Sequence, residues 1–533
     1  MKKEFSRRTF IKSLGLGVAG LAAIRSPAAI GSLAARSEAI DVMIIGSGFG
    51  GAVTALRLAE LGIHTVMLER GRRWPVTREQ NTFSSLQDPD GRSAWLSDVA
   101  LLGEAKPIDK YIGVLELVLG NGIASLAGAG VGGGSLVYAG ALYQPSRALF
   151  KSIFADSVDY HEMDAIYYPR VRSVIDPQPI PFDILARPEY AAARKWWQLG
   201  RNAGLRTKLI ELGVSWHAVW EELQGIRKPS VIAGEFWYGN NSGAKRSLDR
   251  NYLRHAERHG HLEILTQQNV SAIRKGPDGR YLVLVDEIDT DGAVLARRQY
   301  VVKKLFMAAG SLGTSRLLVK AKAKNDLPEL NDAVGKYWGN NGDFFSSLSG
   351  FGRHIKPNLG GPVPVAIEDP FNSLLPTTVE CYADWSLEGE TGTISSVGMS
   401  VPPPKGRFIY DKTTDDVVLN WPGNDPDIQR VTQAGEATYH RLANAWGLTD
   451  RVSPVRPGHC LTHAPVTASV TAHPLGGVVL GRATDNIGRV RNHRGLYVVD
   501  GALIPGHTGC TNPALTIAAL AERNVERIIN RDF

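Results

Sequence analysis

The chain has 533 residues, 43% of them hydrophobic, enough for a large core and for about two domains. Its formal net charge of +7 is modest and partly concentrated at Lys2, Lys3, Arg7, Arg8 and Lys12, so charge gives no ground for a nucleic-acid partner. Three cysteines, Cys381, Cys460 and Cys510, stand at no zinc-binding spacing and allow at most one disulfide; all three are read as structural.

Ser6-Arg7-Arg8-Thr9-Phe10-Ile11-Lys12 has the form of a twin-arginine export signal, with a short apolar stretch behind it over residues 14–24. That stretch is too short for a permanent membrane span. Residues 1–38 are therefore set aside as a targeting segment, and the mature protein is expected in the periplasm or secreted. The twin-arginine route carries folded proteins, which suits a protein that loads a cofactor before export.

The apolar run Asp41-Val42-Met43-Ile44-Ile45 leads into Gly46-Ser47-Gly48-Phe49-Gly50-Gly51 and then a helical pattern over residues 52–59. Strand, glycine turn and helix in that order are the context a dinucleotide fingerprint needs. Gly46 makes the tight turn, Gly48 lets the backbone approach a pyrophosphate, and Gly51 packs helix against strand. The helix N-terminus then offers free N–H groups to the phosphates. A strand over residues 65–68 ends at Glu69, about twenty residues on, where a ribose-binding carboxylate belongs. An acid there argues against a 2′-phosphate and leaves NAD and FAD open. Gly128-Ala129-Gly130-Val131-Gly132-Gly133-Gly134-Ser135 is a second loop suited to a bound dinucleotide.

Further strands are expected over residues 262–265, 270–273, 281–285 and 300–307. The last runs into Ala308-Ala309-Gly310-Ser311-Leu312-Gly313 and a helix over 314–321. Thr377-Thr378-Val379-Glu380-Cys381 reads as a strand carrying one carboxylate. Another strand ends at Asp500-Gly501, and Pro513 behind Thr511 and Asn512 opens a last helix expected over 513–529. Between these parts, Trp95, Trp196, Trp197, Trp216, Trp220, Trp237, Trp385 and Trp421 serve equally well as the wall of a bulky apolar ligand site or as domain core. The pattern is an α/β, Rossmann-like nucleotide domain (residues 39–80, 240–340 and 466–533) interrupted by a substrate domain (81–239 and 341–465) with a mixed or antiparallel sheet and helices.

The ordered set of motifs resembles the glucose–methanol–choline (GMC) oxidoreductases, within them the cholesterol oxidase branch that holds FAD non-covalently. The resemblance runs almost from Ile40 to the C-terminus. It rests on the Gly46–Gly51 turn with Glu69, Gly132-Gly133-Gly134-Ser135-Leu136-Val137, Tyr238-Gly239-Asn240-Asn241, Ser247-Leu248-Asp249, Ala309-Gly310-Ser311-Leu312-Gly313, His473-Pro474-Leu475-Gly476-Gly477 and Asp500-Gly501-Ala502-Leu503-Ile504-Pro505-Gly506. It implies FAD contacts from Gly46, Gly48, Phe49, Gly51, Glu69 and Val270. The second loop is implied to add Gly133, Gly134, Ser135 and Tyr138, and the C-terminal half Gly310, Asp500, Gly501, Asn512 and Pro513.

Three positions carry the implied chemistry. His473 matches the histidine that holds the substrate hydroxyl as hydride leaves the carbinol carbon for flavin N5. Asn512 matches the asparagine touching flavin and substrate oxygen. Glu380 matches the carboxylate that moves a proton from C4 to C6 of a sterol ketone and so isomerises Δ5 to Δ4. A histidine of near-neutral pKa suits the first role, and a carboxylate in an apolar cavity the last. A helix N-terminus behind Asn512 favours negative charge on a reduced flavin. His507 is the alternative base.

The implied activity is oxidation of a 3β-hydroxysterol with O2 reduced to H2O2, with transient membrane contact for substrate extraction. The same-fold alternative is a dehydrogenase passing electrons from another bulky apolar alcohol to a quinone or cytochrome. A non-catalytic sterol-binding protein and an NAD-dependent dehydrogenase are the other readings; the second glycine loop and export favour FAD over nicotinamide. Tyr138 stands where the family has asparagine and Ala141 where it has methionine, one residue is inserted near Cys510-Thr511, and Cys381-Tyr382-Ala383-Asp384 departs from the usual run. These departures bear on substrate and oxygen reactivity rather than on the flavin.

Overall fold

The protein is described by a computed structural model covering residues 38–102, 106–387, 392–448, 451–453 and 469–533. Residues 1–37 of the expected targeting segment (1–38) and Cys460 lie outside the described residues.

The strands that build the site are, in chain order, β1 (Glu38–Ile45), β2 (Thr65–Leu68), β3 (Leu115–Gly120), β4 (Ile123–Gly128), β5 (Arg206–Leu209), β6 (Leu262–Leu265), β7 (Gln268–Lys275), β8 (Tyr281–Ile288) and β9 (Val294–Met307). They continue with β10 (Phe344–Ser349), β11 (Val365–Asp369), β12 (Thr377–Cys381), β13 (Thr393–Met399), β14 (Ser469–Thr471) and β15 (Leu496–Val498). The helices concerned are α1 (Phe49–Glu60), α2 (Tyr168–Ile175), α3 (Gly310–Ala323) and α4 (Ala514–Asp532).

The main sheet runs β6-β2-β1-β9-β8-β7, with β15 paired to the C-terminal end of β9. Its centre is parallel: Met43 of β1 lies between Val66 of β2 and Leu305 of β9. Parallel strands covered on both faces need unbroken apolar sequence, and Val42 to Ile45 are all buried. The strands expected at 270–273 and 281–285 are present, and β7 and β8 form an antiparallel flap on β9. A bulge in β7 between Val270 and Ala272 shifts the register there.

α1 fits against the sheet only because Gly50 and Gly51 in its first turn lack side chains. A Cβ on Gly51 would lie 2.1 Å from the Gly46 carbonyl oxygen, and one on Gly50 would lie 2.1 Å from that of Val499. α3 begins at Gly310, four residues before the expected start. The Asp500 carboxylate, arriving from beyond β15, accepts the Gly310 N–H at 2.8 Å and the Thr314 hydroxyl at 2.5 Å, a cap that no local pattern reveals. α4 starts at Ala514 with Pro513 one position outside it, and ends at Asp532.

A second sheet, β10-β13-β12-β11-β5, is antiparallel throughout and draws every strand from the expected substrate region. A third, small sheet joins β3, β4 and β14. Segment 147–175, also expected with the substrate region, packs instead in the core of the main sheet. Phe150, Tyr168 and Val171 join Leu515 and Ala518 of α4 in one hydrophobic cluster. The mixed architecture is that of an α/β nucleotide domain interrupted by a second, antiparallel sheet.

Candidate active site

A cavity of about 510 Å³ opens at the C-terminal ends of β1, β2 and β9, where ligands sit in parallel α/β sheets. Three helix N-termini point into it: Phe49 and Gly50 of α1, Gly310 to Gly313 of α3, and Ala514 of α4 after Pro513. Free N–H groups and the positive ends of three helix dipoles make this a site for a polyanion.

The two glycine loops meet here. Gly46 has φ +97°, and its absent Cβ would stand 2.3 Å from the Ala308 carbonyl oxygen. Gly133, at φ +52°, rests so closely on the other loop that a Cβ would come 2.7 Å from Gly48 Cα. By contrast, nothing lies within 4 Å of where a Cβ would stand on Gly48 or Gly134, and both line the cavity. Those open faces are a cradle that side chains would fill. A dinucleotide pyrophosphate fits it.

Glu69 also lines the cavity, but it is buried, and its acceptor sites are taken. Oε2 accepts from the Ser47 N–H (3.2 Å) and hydroxyl (2.6 Å), Oε1 from the N–H groups of Gly71 (3.0 Å) and Gly130 (3.3 Å). A carboxylate has about four such sites. The structure shows Glu69 tying the two glycine loops together at the cavity wall. Ser47 completes the joint by accepting the Gly132 N–H at 3.1 Å.

Phe49, Tyr138, Val270, Asp500, Gly501, Asn512 and Pro513 line the same cavity, as expected. Gly51 and Ser135 do not. Gly51 lies under α1 against Gly46, and the Ser135 hydroxyl is used within the protein, donating to Gly132 O at 2.7 Å and accepting the Leu248 N–H at 2.9 Å. Their contribution is to hold the loops. Burial pushes Asp500 up to about 6 against the pull of its Thr314 and backbone hydrogen bonds.

His473, Glu380 and Asn512 come together on the far wall. Glu380, on β12, is fully buried, and Asn512 Nδ2 donates to its Oε2 at 3.2 Å. Burial pushes Glu380 up to about 8, although the Asn512 hydrogen bond and the His473 charge pull the other way. Glu380 Oε1 and Asn512 Oδ1 are buried with no protein partner, so each keeps an unused polar site.

His473 follows β14. Its Nδ1 lies 2.9 Å from Asp343 Oδ1, a residue sequence reasoning missed. Asp343 is itself buried and fixed by the Thr471 hydroxyl at 2.7 Å and the Ala472 N–H at 3.3 Å. Burial lowers the imidazole pKa, but the Asp343 charge and hydrogen bond, helped by Glu380, outweigh it and raise His473 above its ordinary value. With Nδ1–H donated to Asp343, Nε2 is left as the acceptor. The only local cue to Asp343 was a polar turn, Asn340-Asn341-Gly342.

His507 is not on the cavity wall. Its Nδ1 accepts the Gly509 N–H at 3.2 Å, and burial drives it down to about 4, so it does not compete as the base. Lys245, also missed, is buried; its Nζ donates to the carbonyls of Leu136 (2.8 Å) and Phe236 (2.7 Å), joining the second glycine loop to the Phe236–Trp237 wall. Of the tryptophans singled out, Trp237 alone lines this cavity, and Trp196 is core. Tyr138 and Ala141, both departures from the family pattern, are on the wall, and the Tyr138 hydroxyl donates to Arg246 O at 3.2 Å.

Comparison with known proteins agrees with this geometry. A GMC oxidoreductase family model matches residues 40–336, and a second GMC oxidoreductase model matches residues 402–521. A cholesterol oxidase of Acinetobacter baumannii is 24% identical, the match covering 92% of this chain and 94% of that protein. One of Mycobacterium tuberculosis (strain ATCC 25618 / H37Rv) is 26% identical, covering 91% and 90%. The pyridoxine 4-oxidase of Mesorbium loti shares the fold at a TM-score of 0.59 and 13% identity, covering 92% of this chain and 100% of its own. A formate oxidase of Aspergillus oryzae RIB40 does so at 0.62 and 13%, covering 92% and 98%. The glycine cradle, the three helix N-termini and the matches over most of the chain lead to one conclusion: the protein belongs to the GMC oxidoreductase family, and its cofactor is FAD.

Proposed function

We propose that the protein oxidises a 3β-hydroxysterol or similarly bulky apolar alcohol to the ketone, with O2 reduced to H2O2. The observation that carries this reading is the meeting of a base held by a carboxylate (His473 on Asp343) with a buried acid–amide pair (Glu380 and Asn512), in the cavity that also holds the glycine cradle. Bound FAD supplies the two-electron oxidation, accepting the carbinol hydrogen as hydride. His473 Nε2 accepts the hydroxyl hydrogen bond and takes its proton, and Asp343 stabilises the imidazolium formed. Asn512 Nδ2 orients Glu380, and its free Oδ1 faces whatever occupies the cavity. Phe236, Trp237, Phe345 and Tyr382 give the substrate side apolar walls that exclude water.

Isomerisation by Glu380 belongs to the same proposal. The proton shuttle needs the carboxylate form, so isomerisation should rise with pH through about 8 and vanish in Glu380→Gln. Export by the twin-arginine route, transient contact with a lipid surface and the division into nucleotide and substrate regions remain part of the reading.

The test is a panel of sterols and smaller alcohols with the flavin-loaded protein, reading peroxide. His473→Gln should retain flavin and lose most turnover, roughly 10²–10⁴-fold; an unchanged rate removes His473 from the mechanism. Tyr138 and Ala141 on the cavity wall favour weighing a second reading, a dehydrogenase with a quinone or cytochrome acceptor. Faster turnover with an artificial dye than with O2 would select it.

A further inference from the structure

Hydride transfer needs the base, the carbinol carbon and the flavin in line, and a misplacement of about 1 Å costs on the order of 10²-fold in rate. His473 and Asn512 therefore have to be set against each other, although they reach the cavity wall on different segments. The joint between those segments is Asn341, a residue that does not itself line the cavity.

The turn over residues 339–343 belongs to the His473 side. Gly339 pairs with Leu475, just beyond His473. Asp343 Oδ1 lies against His473 Nδ1, while Asp343 Oδ2 accepts the Thr471 hydroxyl, whose oxygen in turn accepts the His473 N–H at 2.8 Å. The loop over residues 506–511 belongs to the other side and runs straight into Asn512. Turn and loop touch backbone to backbone: a Cβ on Gly339 would lie 2.7 Å from Gly506 Cα.

Asn341 locks this contact. It is fully buried, and its φ of +59° is a left-handed conformation that asparagine adopts more readily than most side chains. Its own N–H donates to Gly506 O at 2.9 Å. Its Oδ1 accepts the Thr508 N–H at 2.9 Å, and its Nδ2 donates to Thr511 O at 3.0 Å. A backbone N–H only donates and a carbonyl only accepts, so the amide has one orientation here. Thr511 O also accepts the Thr508 hydroxyl at 2.6 Å. That carbonyl belongs to the peptide bond joining Thr511 to Asn512. Two donors therefore fix the peptide plane from which the Asn512 side chain reaches Glu380. Glycine would adopt this backbone without the amide, and aspartate has no N–H for Thr511 O.

We propose that Asn341 is a positioning residue for the oxidation, setting Asn512, and with it Glu380, against the His473–Asp343 pair; this rests on the reading under Proposed function. Asn341 acts through the Thr511–Asn512 peptide and not by touching the substrate. Its loss frees that peptide to tilt, so the alcohol binds but spends less time aligned for transfer of its hydrogen.

The experiment is a double-mutant cycle of Asn341→Gly and Asn512→Ala, read as the rate of flavin bleaching when the flavin-loaded enzyme meets cholesterol in detergent micelles without O2. Asn341→Gly keeps the left-handed backbone and removes the amide. It should slow bleaching by roughly ten- to hundredfold and leave the half-saturating cholesterol concentration nearly unchanged. In the Asn512→Ala background the same change should alter the rate by less than about twofold, because the group it positions is gone. A wild-type bleaching rate in Asn341→Gly overturns the proposal, and so does equal slowing in both backgrounds, the mark of a general loosening. If Asn341→Gly does not load flavin, Thr508→Val, which removes one of the two donors to Thr511 O, takes its place in the cycle and is judged by the same outcomes. Failure of cholesterol to bleach the wild-type flavin sinks the sterol reading alone, and the cycle is then read with the panel alcohol that bleaches it fastest. If no alcohol bleaches it, both readings fall.

Discussion

Asp343 and His473 are 130 positions apart, yet their 2.9 Å contact governs which imidazole nitrogen is left free as an acceptor. Asp343→Asn keeps the shape and removes the charge. The imidazole pKa should then fall toward or below its ordinary value, because burial is no longer offset. The acid limb of the kcat/KM profile should move to lower pH. The rate plateau should drop by up to about 10⁴-fold as the wrong tautomer is populated, with flavin still bound. An unmoved acid limb would mean that Asp343 does not set the imidazole. Glu380 allows a stability test. Its folded-state pKa, about 8, lies above the unfolded value of about 4.3. Its contribution is therefore fully present below the unfolded value and is lost as pH rises toward 8, by up to about 1.4 kcal/mol per pH unit. Glu380→Gln has no charge to bury, so its melting temperature should match wild type near pH 4 and exceed it increasingly up to pH 8. Parallel pH–melting curves for the two proteins would refute this.

At the scale of elements, α1 and α4 are joined by a part-buried ion pair between Arg57 and Glu522. Arg57 Nε lies 2.7 Å from Glu522 Oε2 and Nη2 2.8 Å from Oε1, and the Tyr252 hydroxyl donates to Oε1 at 2.7 Å. Glu522→Ala leaves Arg57 with Glu60 alone and the buried Tyr252 hydroxyl without its acceptor, and should cost about 1–3 kcal/mol in denaturant unfolding. The replacement leaves the cavity walls intact, so the loss should appear as stability and not as a changed pH profile. Much at this scale was legible from local pattern. β1, α1 and β2 show the apolar run, glycine turn and helix periodicity expected, and β12 spans the residues expected of it. The early start of α3 was not legible, because Asp500, which caps it, is 190 positions away. The packing of segment 147–175 beside α4 was hidden for the same reason: an amphipathic helix announces an apolar face but not its partner.

For the whole molecule, the cavity is where the main sheet, the second sheet and the start of α4 meet, so FAD should act as a structural element as well as a reagent. A ligand that binds only the folded state stabilises it by about 2.7 kcal/mol when present at 100 times its Kd. Removing FAD should therefore lower the melting temperature by several degrees, and adding FAD back should restore it in a concentration-dependent way. Calorimetry of the stripped and reloaded protein checks this; a melting temperature indifferent to FAD would contradict the cradle.

By itself, the sequence determined the nucleotide turn and the type of most flanking elements, and its resemblance to the family pointed to His473, Asn512 and Glu380. Those signals are either local in the chain, within one turn or one strand, or carried by short motifs. Only the tertiary structure decided that Glu69 ties the two glycine loops together, that Ser135 and Gly51 brace the cavity without lining it, and that His507 lies off its wall while Asp343 stands beside His473. Each of those outcomes is a contact between distant segments, and burial and hydrogen-bond saturation exist only once those segments have met.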